Sequence, residues 1–165
     1  MPTNAYAVTV RCPIELAFDY VADVTQHPEW AMDRMSVERQ SAEPSGVGTR
    51  YRTVGHSEVW NKDNEAEVEV TRHERPAAFE IVCRDPHGEF RHLFTFRAED
   101  DGRVLIERHY TTPEVLSEEA RQRVMALMPT VIEPSRRGAM AKLGERLEKL
   151  ALPAGGRATE GRLSG

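Results

Sequence analysis

Glu65-Ala66-Glu67-Val68-Glu69-Val70 alternates without a fault between a carboxylate and a small or branched apolar side chain. A period of two is the mark of a β-strand, whose successive side chains point to opposite faces. Ala66, Val68 and Val70 are therefore expected to face inward, and Glu65, Glu67 and Glu69 to face water. A strand with one wet face and one dry face belongs to an antiparallel sheet that is covered on a single side.

The same reading extends outward in both directions. Upstream, Thr49 to Val54 reads as a strand with Tyr51 on one face, behind the turn cluster Pro44-Ser-Gly-Val-Gly48, and Met35 to Gln40 reads as another. Downstream, Arg75-Pro76 breaks the run. Phe79, Ile81 and Cys83 then form the inward set of a further strand, ended by Asp85-Pro-His-Gly88. The next two strands make a hairpin with two possible registers. A two-residue Asp101-Gly102 turn sets Phe96 opposite Glu107. A three-residue loop, Asp100 to Gly102 with Gly102 left-handed, sets Ala98 opposite Val104, Phe96 opposite Ile106, Phe94 opposite Arg108 and His92 opposite Tyr110. The second keeps apolar against apolar near the turn and is preferred.

At the ends the period changes. Ala5 to Arg11 alternates as a strand, and Ile14, Ala17, Phe18 and Val21 then recur at helical spacing behind Pro13, which suits a first helical position. Asp23 is placed as a second N-cap, with Gln26 reaching back in a capping box, and His27 to Trp30 follows as a short helix. Near the C-terminus Ser117 caps a segment whose apolar face is Val124, Leu127 and Met128. Met140, Leu143, Leu147 and Leu150 form a stripe along a long terminal helix, with Arg136-Arg137 read as its solvated surface. Pro129 and Pro134 start, kink or split helices here, and the sequence does not say which. Beyond Pro153 the chain is polar and glycine-rich, so residues 1–152 are expected to form one domain and 153–165 a disordered tail.

The chain has 165 residues, enough for one domain with a real core, and carries a net charge of −5 with both signs interleaved. No basic stripe points to nucleic acid, no apolar run is long enough to span a membrane, and no leader precedes the first strand. The two cysteines, Cys12 and Cys83, lack CxxC spacing and read as reduced, buried side chains, which makes a cytoplasmic location the default. The six histidines show no metal-ligand spacing, and no phosphate loop or GxSxG elbow is present. No metal or cofactor is expected.

The order strand, two short helices, about six strands and long helix is that of the helix-grip fold. Cys12-Pro-Ile-Glu-Leu-Ala-Phe-Asp-Tyr-Val-Ala-Asp23 with Pro28-Glu-Trp30 resembles the opening of the START-like superfamily known as SRPBCC, in its polyketide cyclase/dehydrase and lipid-transport branch. Gly46-Val-Gly48, Arg75-Pro76 and Asp101-Gly102 agree with it; Pro129 and Pro134 depart from its more continuous final helix. The resemblance implies an α+β fold in which an antiparallel sheet wraps a long C-terminal helix around a cavity for lipids, polyketides or other hydrophobic molecules. It implies no particular activity, because members include carriers, sensors and cyclases.

The site must therefore be read from residues. Tyr51, Phe79, Ile81, Phe94 and Phe96 are expected to supply apolar lining, and His92, Arg108 and Tyr110 a polar end on the same inner face. There Arg108 would neutralise a carboxylate or enolate, His92 would move a proton and Tyr110 would donate a hydrogen bond. A parity error of one residue would put all three in water instead. Trp30 is read first as core packing and second as an aromatic at the cavity mouth, and Trp60 as a loop residue. Three functions stay open: a binder of a small hydrophobic ligand, a cofactor-free cyclase, aromatase or dehydratase using the same pocket, and an interaction module. The oligomeric state is not legible.

Overall fold

The computed structural model describes residues 3–42, 44–111 and 116–152. The proposed tail, residues 153–165, lies outside them. Seven strands form one sheet: β1 (Thr3–Val10), β2 (Met35–Arg39), β3 (Arg50–Ser57), β4 (Lys62–Glu74), β5 (Ala78–Asp85), β6 (Gly88–Ala98) and β7 (Val104–Thr111). Their order is β1-β7-β6-β5-β4-β3-β2, and every neighbouring pair is antiparallel. Helix α1 (Ile14–Ala22) and a 3-10 helix (Val24–Glu29) connect β1 to β2, and helices α2 (Glu118–Leu127) and α3 (Glu133–Ala151) close the chain. No helix among the described residues is long and apolar enough to cross a membrane.

The alternation in β4 places its side chains as the period requires. Val68 and Val70 are buried, Ala66 half-buried, Glu65 and Glu67 exposed, and Glu69 is partly covered by its ion pair with Arg84. In the β6–β7 hairpin Ala98 faces Val104, Phe96 faces Ile106, Phe94 faces Arg108 and His92 faces Tyr110. Gly102 takes a φ of +80°, a conformation that costs glycine nothing and would strain a side chain with a Cβ. The longer loop thus fixes the register that pairs apolar with apolar.

Several local readings are corrected. Pro13 stands just before α1 as its N-cap, with extended geometry, rather than inside its first turn. The carboxylate of Asp23 accepts from the backbone and hydroxyl of Thr25, and Gln26 donates to that same carboxylate instead of closing a capping box. The last helical run is continuous from Glu118 to Ala151. It widens to i→i+5 bonding over Met128–Ile132, where Glu133 N–H reaches the Met128 carbonyl. Neither Pro129 nor Pro134 has an N–H to give, and a wider turn accommodates both without breaking the helix.

Helix α3 grips the sheet unevenly. Met140, Leu143 and Leu147 are fully buried against it, while Leu150 is 47% exposed and Ala151 packs in its place. At Gly144 the approach is so close that a Cβ would lie 2.9 Å from Cγ2 of Val8 on β1. Lys142 donates to the Ala31 carbonyl and Arg146 pairs with Glu29, which tethers α3 to the 3-10 helix. The helix is therefore tight on the sheet at its C-terminal half. Space remains at its N-terminal end.

Candidate functional site

That space is a cavity of about 400 Å³ between the inner face of the sheet, the segment after the 3-10 helix and the start of α3. The exposed Met32 and Arg34 line it, and Val68, Ile81 and Ala139 give it apolar wall. Of the residues expected to line it, Ile81, His92, Arg108 and Tyr110 do so. Phe79, Phe94, Phe96 and Tyr51 share the inner face but sit in the packed core, each 5% exposed or less. Phe18 of α1 fills that end, edge-on to both Phe79 and Phe96. Strand parity places all eight residues inward. The helices above the sheet decide which of them meet empty space.

The polar end is built around Arg108. Its guanidinium carbon lies 4.6 Å from the ring centre of Tyr110, 5.0 Å from Phe94 and 5.3 Å from Trp30. One terminal nitrogen donates to Nδ1 of His92 at 2.9 Å. Among the described residues no carboxylate pairs with Arg108, and its buried Nε has no hydrogen-bond partner. The indole Nε1 of Trp30, also buried, is likewise unpartnered. Trp30 is thus both core, at 2% exposure, and cavity wall.

Because an arginine only donates, Nδ1 of His92 must carry a lone pair, and the neutral ring holds its proton on Nε2. Burial, then the Arg108 charge beside it, pushes the His92 imidazole well below its ordinary range. His27 donates Nε2–H to the Val21 carbonyl at 2.8 Å, and burial lowers it to about 4. Burial also raises the Cys83 thiol to about 12. The polar end is therefore rich in donors held by neutral imidazoles and uncompensated guanidinium.

One participant escaped sequence reading. Arg136, read as helix surface, turns inward and stands 4.0 Å from the ring centre of Tyr110, whereas Arg137 stays outside and pairs with Glu133. The signal existed: Arg136 precedes Met140 by four residues and Leu143 by seven, which puts it on the buried stripe. Trp60 lies in the β3–β4 turn, as a loop residue, and is stacked there on His87 at 4.1 Å. Among the described residues no group of three His, Cys, Asp or Glu side chains converges as metal ligands would.

A seven-stranded antiparallel sheet gripping a C-terminal helix over a lined cavity defines a helix-grip, START-like protein. The chain belongs to the polyketide cyclase/dehydrase and lipid transport family, whose sequence pattern matches residues 1–148. It is similar in structure to the Zhui aromatase/cyclase from Streptomyces sp. R1128, with a TM-score of 0.68 at 16% identity over 94% of this chain and 98% of that one. It is also similar to a conserved protein from Geobacillus kaustophilus, with a TM-score of 0.69 at 12% identity over 89% and 95% of the two chains. The di-domain aromatase/cyclase StfQ of steffimycin biosynthesis gives a TM-score of 0.63 at 14% identity, over 88% of this chain and 44% of that one. At these identities the likeness speaks for the fold. No curated protein matches the chain in sequence.

Proposed function

We propose that this protein binds an apolar or aromatic small molecule carrying one acidic or carbonyl oxygen, with that oxygen on Arg108. The observation that carries the reading is the guanidinium itself, enclosed by three aromatic rings with no protein anion beside it among the described residues. Half-buried on the cavity wall, the guanidinium is partly desolvated with no counter-charge, and a ligand anion is the partner that would offset that cost. Arg108 Nε and Trp30 Nε1 offer donors with nothing yet to bind. The volume suits a small ligand, and the aromatase/cyclase names of two structural neighbours fit an aromatic or polyketide-like one. An interaction module would need no such cavity.

A second reading is favoured by His92. Its Nε2–H, with Nδ1 held by Arg108, could give a hydrogen bond or proton to an enolate oxygen, as a cofactor-free cyclase or dehydratase would require. The test begins with native mass spectrometry of the purified protein for a co-purified small molecule. Titration with 2-naphthoate follows. Arg108→Ala should weaken that binding at least tenfold; unchanged affinity would defeat the reading. His92→Ala should leave binding within a few fold, and it should lower turnover only if His92 gives the enolate oxygen that hydrogen bond or proton.

A further inference from the structure

Beside the main cavity lies a side chamber of about 150 Å³ between α2 and the tips of β3 and β5–β6. The two share three lining residues, Ser57, Asp85 and Arg136. We propose that this chamber is a second subsite, which takes the apolar arm of the ligand whose oxygen rests on Arg108. The arm would be an alkyl chain of about four to six carbons or a single phenyl ring, since an apolar cavity of this size holds a benzene molecule. The proposal rests on the ligand reading above and extends it to the ligand's shape.

Its walls are mostly hydrocarbon: Val59, Phe90, Leu116, Ala120, Val124 and Ile132. Water needs two to four polar partners, and the polar groups here are largely engaged. The Asp85 carboxylate already accepts from Asn64 at 2.8 Å and from the backbone of His87 and Gly88 at 2.7 and 3.1 Å. His87 is stacked flat on Trp60, and the Arg123 guanidinium lies 5.2 Å from the centre of that indole and donates to the Val59 carbonyl. This stack ties α2 to the β3–β4 turn and forms the outer wall. The partition toward the main cavity differs in kind. Asp85 is fixed by its three hydrogen bonds, but Arg136 rests on the Tyr110 ring, with a buried NH1 that has no partner. It can swing aside without breaking an ion pair among the described residues. The opening between the chambers is therefore set by one long side chain.

The test uses 4-alkylbenzoates from methyl to octyl, titrated calorimetrically against the full chain. In the wild type each methylene that enters the chamber should tighten Kd about fourfold. Val124→Trp should fill the chamber. It should follow the wild type for the short members and then flatten about three carbons earlier, leaving the octyl compound roughly 50-fold weaker. In the wild type the octyl compound should also shift the methyl resonances of Leu116, Val124 and Ile132, and the methyl compound should not. This second measurement holds even where the variant folds poorly. Short members that bind, with long members gaining equally in both proteins or leaving those methyls unmoved, would overturn the chamber and spare the main site. Failure of every member to bind the wild type would remove the acid-binding reading and the chamber with it.

Discussion

Arg108 on β7 donates to Nδ1 of His92 on β6 at 2.9 Å, across a diagonal of the hairpin rather than between directly facing residues. Directly opposite Arg108 is Phe94, and directly opposite His92 is Tyr110. Diagonal neighbours lie within reach of long side chains, so the register of one hairpin joins the cation to the imidazole and floors both with aromatic rings. The bond also decides the tautomer. His92 is presented to the cavity as a donor, so it can stabilise an oxyanion more readily than it can abstract a proton.

A site that waits for an anion should destabilise the empty protein. Arg108→Met is expected to raise the stability of the ligand-free chain by about 1 kcal/mol, because it removes a half-buried charge that has no counter-charge and keeps an apolar filler of similar length. Calorimetric melting without ligand checks it. A lower melting temperature would mean that the ring contacts outweigh the charge.

Acid should weaken the fold in a window set by histidine. The folded pKa of His27 is depressed from its ordinary 6.5 to about 4, and that of His92 is also lowered. Between these limits the unfolded chain takes up protons that the folded chain refuses, so stability rises with pH. It is fully present above about 6.5 and lost as pH falls toward the folded value, by about 3 kcal/mol for His27 alone. Urea unfolding at pH 7.5, 6 and 5 measures the slope. His27→Gln, which keeps a donor for the Val21 carbonyl, should flatten it.

Both thiols should react slowly. Cys12 and Cys83 are unpaired; Cys12 is buried as expected, whereas Cys83 is half-buried on the cavity wall, and desolvation raises the pKa of each, so that at about 12 only about one Cys83 in ten thousand is thiolate at pH 8. Labelling with a disulfide reagent should be far slower in the native protein than in denaturant. Equal rates would contradict the burial.

Gly144→Ala should destabilise despite alanine's better helix propensity. The new Cβ meets a stiff, β-branched side chain at 2.9 Å, and overpacking of this kind costs about 1 to 3 kcal/mol against a propensity gain of about 1. Val8→Ala in the same chain should recover most of the loss. Additive effects of the two substitutions, read by urea unfolding, would show that the contact is not the cause.

The legible parts of this protein are those governed by period and local geometry. Glu65 to Val70 could only be a half-wet strand, because a step of two admits no other face. The hairpin register followed from Gly102 and from matching Phe96 to Ile106. Even Arg136 stands at helical spacing from Met140, although a paired Arg136-Arg137 looks like surface. Spacing alone also puts Leu150 on the stripe, but it is 47% exposed and Ala151 packs against the core in its place.

Other features depend on elements remote in the chain. Inward parity held for Phe79, Phe94 and Phe96 as it did for Ile81, His92 and Arg108, yet the first three are packed and the last three line the cavity. Phe18 fills one end of the concave face, and α3, pressed onto Val8 at Gly144, stands off the other. The side chamber likewise exists because α2 is held over the sheet by Arg123, Trp60 and His87, which are separated by dozens of residues. Which face of each strand is dry was legible along the chain, since alternation is a property of neighbouring residues. Where that dry face is filled and where it stays hollow depends on side chains that meet across the fold, because packing is settled between elements remote in sequence.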